Sequence, residues 1–406
     1  MSHKSKRKIT VSLLAMACVA VVVALCMASG RKPDKGAAVD GPDTPVVPIA
    51  LKPVATVTPV APPEPEPPPP PEPPKVDVVF VLDTTGSMSG LIEGAKRKIW
   101  AIANQVLGGQ PKPHVRIGLI GYRDHGDDYV TRRYQLTENV DDVYAHLRRF
   151  RADGGGDTPE HVNRALFEAI HKMQWRKGQN ILRQIYLVGD APPHEGRDGL
   201  YSRRLAQQAQ DQNIIINAVR CGTMTTTAQV WRRIATAAGG KYASIRQDGG
   251  MVAVASPYDR KLAELNAALS STLLPTGGTA AKRAARRRAM DNASMDAWAQ
   301  AESAKYRARS GRLDSNDLLT VLSRGKKLGD MREAELPAPV AALPAPARQA
   351  YVDKMVAKRA KLKREISDLS KKRDGYIKAK RPKTKGFDDT IGDALKEQGA
   401  AAGLAY

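Results

Sequence analysis

Cysteine is nearly absent from this chain: of three, Cys18 and Cys26 fall in an apolar N-terminal run, and only Cys221 lies in the body of the sequence. A lone thiol there excludes an internal disulfide framework. Aromatic residues are also scarce, at 5%, and acid falls short of base by enough to leave a formal net charge of +22. With so few large rings, part of the 406 residues is not compact globule, although the length holds two or three domains with a proper core. The charge excess points to an anionic partner such as nucleic acid, acidic lipid or a cell-surface polyanion. Missing as well are a phosphate-binding P-loop, kinase motifs in the C-terminal region, and a G-x-S-x-G elbow, since Gly86-Ser87-Met88-Ser89-Gly90 has methionine at its centre.

What is present begins with a basic head (His3, Lys4, Lys6, Arg7, Lys8) and a charge-free apolar stretch from Ile9 to Ser29. Residues 1–30 therefore read as a signal peptide or an uncleaved signal anchor. A bilayer span needs about 20 apolar residues, and the length of this run favours the anchor. Ala28-Ser29-Gly30 offers a cleavage site and keeps the secreted alternative open. Residues 31–75 form a linker dominated by proline, expected to be a polyproline II spacer reaching on the order of 100 Å.

From residue 76 to 250, apolar runs alternate with amphipathic stretches, the pattern of a mainly parallel sheet covered on both faces. Strands are expected at 76–82, 115–122, 184–188, 214–219 and 242–245, and helices at 91–107, 140–150, 159–173, 202–212 and 228–238. Val78-Val79-Phe80-Val81-Leu82 has no polar alternation, as befits a central strand, and it runs into Asp83. Thr85 and Ser87 follow, so one carboxylate and two hydroxyls meet at a strand's carboxyl end, a hard-cation site in outline. Two further stretches matter: Gly154-Gly155-Gly156-Asp157-Thr158-Pro159-Glu160, and the strand Tyr186-Leu187-Val188-Gly189 running into Asp190.

Together these three stretches resemble the von Willebrand factor A domain and its metal-ion-dependent adhesion site. The resemblance implies an α/β, Rossmann-like fold, a first-loop Asp-x-Ser/Thr-x-Ser motif at Asp83, Thr85 and Ser87, a second-loop threonine at Thr158 and a third-loop aspartate at Asp190. Here threonine stands at 85 where many members have serine, and Asp190-Ala191-Pro192-Pro193-His194 replaces the usual Asp-Gly. It implies Mg²⁺ as the ion, with Mn²⁺ or Ca²⁺ as alternatives. An Asp or Glu of a partner protein would complete the coordination.

Other polar residues carry blander readings. The carboxylates of Asp124, Asp127 and Asp128 suit a solvated turn better than a second cation site. His194 reads as a loop residue, Asp157 as a cap for a helix opening at Pro159, and Glu160 as a favourable first-turn acid.

Beyond residue 250 the composition shifts to Ala, Lys and Arg. Residues 251–275 hold one helix packed on or following the domain. Residues 276–345 are Ala/Arg-rich, with the cluster Arg283, Arg286, Arg287 and Arg288, a short helix at Asp317–Leu322 and a Pro/Ala linker from Leu336 to Pro346. Residues 346–406 form a basic, coiled-coil-like region. In it Val352, Met355, Arg359, Leu362, Ile366, Leu369, Arg373 and Tyr376 keep spacings of three and four. Two buried arginines are costly, so the expected form is a hairpin or a docked helix with Arg359 and Arg373 snorkelling outward.

The sequence thus leads to a non-enzymatic, metal-dependent protein-binding module on a stalk outside a bacterial-type cytoplasmic membrane, single-pass or secreted after cleavage. A structural envelope protein binding lipid head groups or anionic polymers through its basic half is the alternative, with nucleic acid not expected. A metal-dependent hydrolase using Asp83 with His125 or His194 ranks below both.

Overall fold

The computed structural model describes residues 73–156, 158–250, 253–380 and 386–406. The N-terminal apolar segment, nearly all of the proline-rich linker, and Asp157 lie outside them. A six-stranded sheet runs β3-β2-β1-β4-β5-β6. Its strands are β1 (Lys75–Asp83), β2 (His114–Tyr122), β3 (Thr131–Thr137), β4 (Ile181–Gly189), β5 (Ile215–Cys221) and β6 (Tyr242–Ile245). All neighbours pair in parallel except β2 and β3. The expected strands are all found. β3 was missed because Thr-Arg-Arg-Tyr-Gln-Leu-Thr has no apolar run, and charged side chains are what protect an exposed sheet edge.

β1 lies at the centre because both of its faces are apolar. Val78, Phe80 and Leu82 enter one core cluster, and Val79 and Val81 the other, as the two-residue period of a strand requires. Helices α1 (Ser89–Val106) and α2 (Val140–Leu147) cover the first face; α3 (Val162–His171), α4 (Ser202–Asp211) and α5 (Thr225–Ala237) cover the second. The chain steps from β1 to β2 on one side and later returns to lay β4 on the other. That reversal of strand order is where open α/β sheets gather ligands. Leu82 pairs with Val188 there, so Asp83 and Asp190 emerge side by side.

The basic half continues the same compact unit. It comprises α6 (Asp259–Ser270), α7 (Thr279–Ala293), α8 (Ala297–Ser310), α9 (Leu318–Ser323), α10 (Ala338–Ala341), α11 (Ala345–Lys380) and α12 (Phe387–Gln398). Leu262, Leu265, Leu269, Ala301, Ala304 and Ile366 join α6, α8 and α11 in one apolar cluster. The stretch expected as a Pro/Ala linker carries Leu336 and Val340 into a second cluster with Leu274, Leu318 and Val352.

The seam on α11 is real, but its arginines turn inward. Arg373 is fully buried and bonds Asp259 at 2.6 Å and Glu302 at 2.5 Å. Arg359 bonds both oxygens of Asp317, at 2.5 and 2.7 Å, and reaches Thr272. Snorkelling fails here because each guanidinium finds a buried carboxylate on an element far away in sequence. Arg307 on α8 does the same, holding Asp141 of α2 at 2.8 and 2.9 Å.

α12 returns to the sheet. Phe387 packs on Phe80 and Tyr186, Lys98 pairs with Asp388 at 2.9 Å, and the Gln398 amide exchanges hydrogen bonds with Asn217 at 3.1 and 2.7 Å while accepting one from Gln184. Gln110 and Ala405 exchange backbone bonds, and the Tyr406 hydroxyl donates to Val106 O.

Arg373→Ala strips the partner from two buried carboxylates and is expected to cost about 3–5 kcal/mol, read as a lower urea midpoint. Lys361→Ala, exposed on the same helix, should stay within about 0.5 kcal/mol.

Candidate metal centre

Three loops meet above the carboxyl ends of β1 and β4. The first leaves β1 at Asp83, which is fully buried. Asp83 Oδ1 accepts the backbone N–H of Thr85 at 2.9 Å and its hydroxyl at 2.6 Å. Thr85 Oγ1 lies 3.3 Å from Ser87 Oγ, so the carboxylate and the two hydroxyls form one chain of contacts. The second carboxylate oxygen, Oδ2, is buried and has no hydrogen-bond partner.

The second loop is docked on the first by its backbone: Gly86 N–H donates to Gly154 O and Asp153 N–H to Thr84 O, both at 3.1 Å. Gly155, at φ +66°, passes so close that a β-carbon there would lie 3.0 Å from Thr85 Cβ and 3.1 Å from Glu160 Oε1. A side chain would therefore push this loop away from the site. Asp127 holds the same loop by accepting the N–H groups of Asp124 and Gly155. Asp124 is buried and Asp127 half-buried, so this turn is less solvated than its composition implied.

The third loop begins at Gly189, where a β-carbon would strike the Tyr122 hydroxyl at 2.3 Å and sit 3.0 Å from Asp83 Oδ2. Glycine is what lets the two strand ends close. Asp190 follows, its Oδ2 accepting from Gln247 at 2.6 Å and its backbone carbonyl from the Thr227 hydroxyl at 2.8 Å.

Of the five residues picked from sequence, the structure gathers Asp83, Thr85 and Ser87 by direct contact. Asp190 is near enough to push the Asp83 pKa upward. Thr158 is exposed on the second loop and makes no hydrogen bond to the other four. Gln247 and Thr227 carried no sequence signal, being ordinary polar residues far along the chain. Glu160 was misread. The helix opens at Val162, not at Pro159, and Glu160 bridges the second and third loops through Pro192 O and the His194 N–H. Its carboxyl is buried, with Oε2 unpartnered. His194, weighed as a catalytic base, hydrogen-bonds Asp124 at 2.9 Å.

Burial raises the Asp83 pKa to about 7, with Asp190 adding to the rise and the Thr85 bonds opposing it. Burial also takes Glu160 to about 9, aided by Asp83, Asp124, Asp127 and Asp190. Burial and repulsion from neighbouring carboxylates thus favour protons on Asp83 and Glu160, and a cation at Asp83 would replace one of them. The donors are all oxygen, which suits a hard divalent ion, and Asp83 Oδ2 is the orphan that an ion would satisfy. Among the described residues no three His, Cys, Asp or Glu side chains converge as a metal cluster, so a cation at Asp83 would need the hydroxyls of Thr85 and Ser87 beside the carboxylate.

Residues 77–254 match the family model of the von Willebrand factor A domain. The chain is 31% identical over 119 residues to an ariadne-like RING finger protein of Acanthamoeba polyphaga mimivirus, across 29% of this chain and 11% of that one. It thus spans about a tenth of the length of that curated relative. Among solved structures, the conserved protein BatB from Bacteroides thetaiotaomicron is 16% identical, with a TM-score of 0.34, over 42% of this chain and 90% of that chain. Proximal thread matrix protein 1 from the mussel byssus, solved with zinc in its adhesion-site motif, is 12% identical with a TM-score of 0.33, over 43% of this chain and 42% of that chain.

Because the folded pKa of Asp83 lies above its ordinary 3.8, its protonated form favours the fold. That stability is complete below pH 4 and is lost as pH climbs through about 7 in the metal-free protein. A divalent ion needs the carboxylate and offsets the loss. The Tm difference between excess Mg²⁺ and EDTA is expected to be larger at pH 8 than at pH 5.5 by scanning calorimetry, and Asp83→Asn should abolish that difference.

Proposed function

We propose that this chain, whose residues 77–254 form a von Willebrand factor A domain, is a non-enzymatic module that binds a partner protein through a divalent ion. Mg²⁺ is the ion assigned, with Mn²⁺ or Ca²⁺ as alternatives. Asp83, Thr85 and Ser87 would hold it, with Asp190 and Thr158 direct or through water. The observation that carries this reading is the buried, unpartnered Asp83 Oδ2 beside two hydroxyls at the switch point of the sheet.

Bound there, the ion supplies an electrophilic point that an Asp or Glu of the partner can ligate. The chain's own residues fix the geometry. The Thr85 N–H and hydroxyl aim one Asp83 oxygen, Gln247 turns Asp190, and the glycines at 155 and 189 bring the three loops into contact. Few negative charges would touch the ion directly, which leaves it attractive to an outside carboxylate. By linkage, ion and partner then raise each other's affinity by the same factor.

The N-terminal apolar run is assigned as the anchor that places this domain on the outer side of a bacterial cytoplasmic membrane, with the proline-rich segment as its spacer. Among the described residues no helix is long and apolar enough to cross a membrane, and the run itself lies outside them.

Calorimetric titration of Mg²⁺ and Mn²⁺ into the protein, compared with Asp83→Ala, tests the centre. Heat of binding is expected from the parent and none from the variant, with both folded by circular dichroism. Equal heats from the two proteins would remove Asp83 from the site.

A further inference from the structure

A groove of about 1120 Å³ runs between α2 and α7, lined by Arg148, Arg149, Arg283, Arg286, Arg287 and Arg288 among others. Two of these are already satisfied: Arg148 pairs with Asp291 at 3.2 Å, and Arg288 with Asp142 at 3.1 Å and Asp314 at 2.7 Å. Arg149, Arg283, Arg286 and Arg287 are exposed, and their side chains form no ion pair or hydrogen bond among the described residues. Residues 283, 286 and 287 stand at i, i+3 and i+4, so they share one face of α7, opposite the buried Ala285. Met290 continues that face and is 74% exposed.

A solvated helix face accounts for scattered arginines, but not for a concave surface on which three unpaired cations of α7 converge with Arg149 from the turn after α2. Such a cleft concentrates its field and attracts anions. Its shape and lining narrow the choice. A flat bilayer does not enter a concave groove. Single-stranded nucleic acid binds on aromatic platforms, and the only ring lining the groove, His146, is already stacked on Tyr134 at 3.9 Å. The groove's own arginines already pair with carboxylates, Asp142 and Asp291. The neighbouring exposed methionine suits a ligand that is partly apolar. Cβ atoms three and four apart on a helix lie about 5–6 Å from one another, a spacing that carboxylates repeat along a second helix.

We propose that the α2/α7 groove is a docking site for an acidic, amphipathic helical segment of a partner protein. Carboxylates of the segment pair with Arg149, Arg283, Arg286 and Arg287, and one of its apolar residues covers Met290. The site uses no metal and stands apart from the Asp83 centre in chemistry.

The probe is a fluorescein-labelled peptide of about 20 residues, long enough to hold helix, with glutamates at four-residue spacing and a leucine stripe beside them. Anisotropy titrations in EDTA use the full chain, the triple variant R283E/R286E/R287E, and a control, K354E/K358E/K361E, which makes the same charge change on exposed positions of α11. Salt-sensitive binding is expected to fall at least about tenfold in the α7 variant and to hold in the control. R283Q/R287Q, milder for the fold, should give an intermediate loss. No binding by the parent, or equal loss in the α7 variant and the control, overturns the proposal. So does tighter binding, through the same three arginines, of inorganic polyphosphate or phosphatidylglycerol vesicles than of the peptide. EDTA keeps the outcome independent of the metal centre.

Discussion

A carboxylate at the end of a strand sheathed on both faces is the constraint on which this structure turns. Taking Asp83 out of water is unfavourable unless its charge is met, and the protein meets only half of it, through the N–H and hydroxyl of Thr85. The rest of the upper rim follows from that half-finished arrangement. Three loops close on one point, glycines stand where any β-carbon would pry the loops apart, and burial favours the protonated form of the neighbouring Glu160. A divalent ion bound as proposed would offset that cost at the switch point of the sheet.

Below the rim, the basic half of the chain answers charge with charge. Arg307, Arg359 and Arg373 each leave one helix and meet carboxylates on elements distant in sequence. Buried pairs of this kind add little net stability over well-packed apolar residues, but they penalise every packing in which a partner is missing. They fix which helix lies against which. Among the described residues only Lys98, Arg123, Arg307, Arg359 and Arg373 of the Lys and Arg side chains are buried, and a pair that sets an acid against a base leaves the net charge of +22 unaltered.

The sheet and its flanking helices were legible because their apolar periods are clean: β1 and β4 are uninterrupted, and α1 to α5 repeat on one face. Asp83, Thr85 and Ser87 were legible because a short spacing within one turn suffices to bring them together. Glu160 was not, since its place depends on where the next helix opens, and the chain puts that two residues beyond the cap-like pattern. Gln247 was invisible for another reason: its meaning comes wholly from a strand-end neighbour 57 residues away. The seam of α11 was visible as a period, yet the direction of its arginines was not, because Asp259, Glu302 and Asp317 look like surface acids until the helices are packed.

Gln398 places its amide between Gln184 and Asn217, partners 214 and 181 residues earlier in the chain. Without α12, the side chain of Gln184 keeps only the Tyr186 hydroxyl and that of Asn217 only the Lys241 N–H among the described residues, and the face of Phe80 and Tyr186 loses the Phe387 ring that covers it. The sheet then has its six strands, but one face of β1 and β4 lacks part of its cover. Contacts of such separation close late and slowly. A chain lacking α12 would keep all six strands and still leave part of one face of the central pair bare, so the sheet and the helix that closes it form one folding unit despite their separation in sequence.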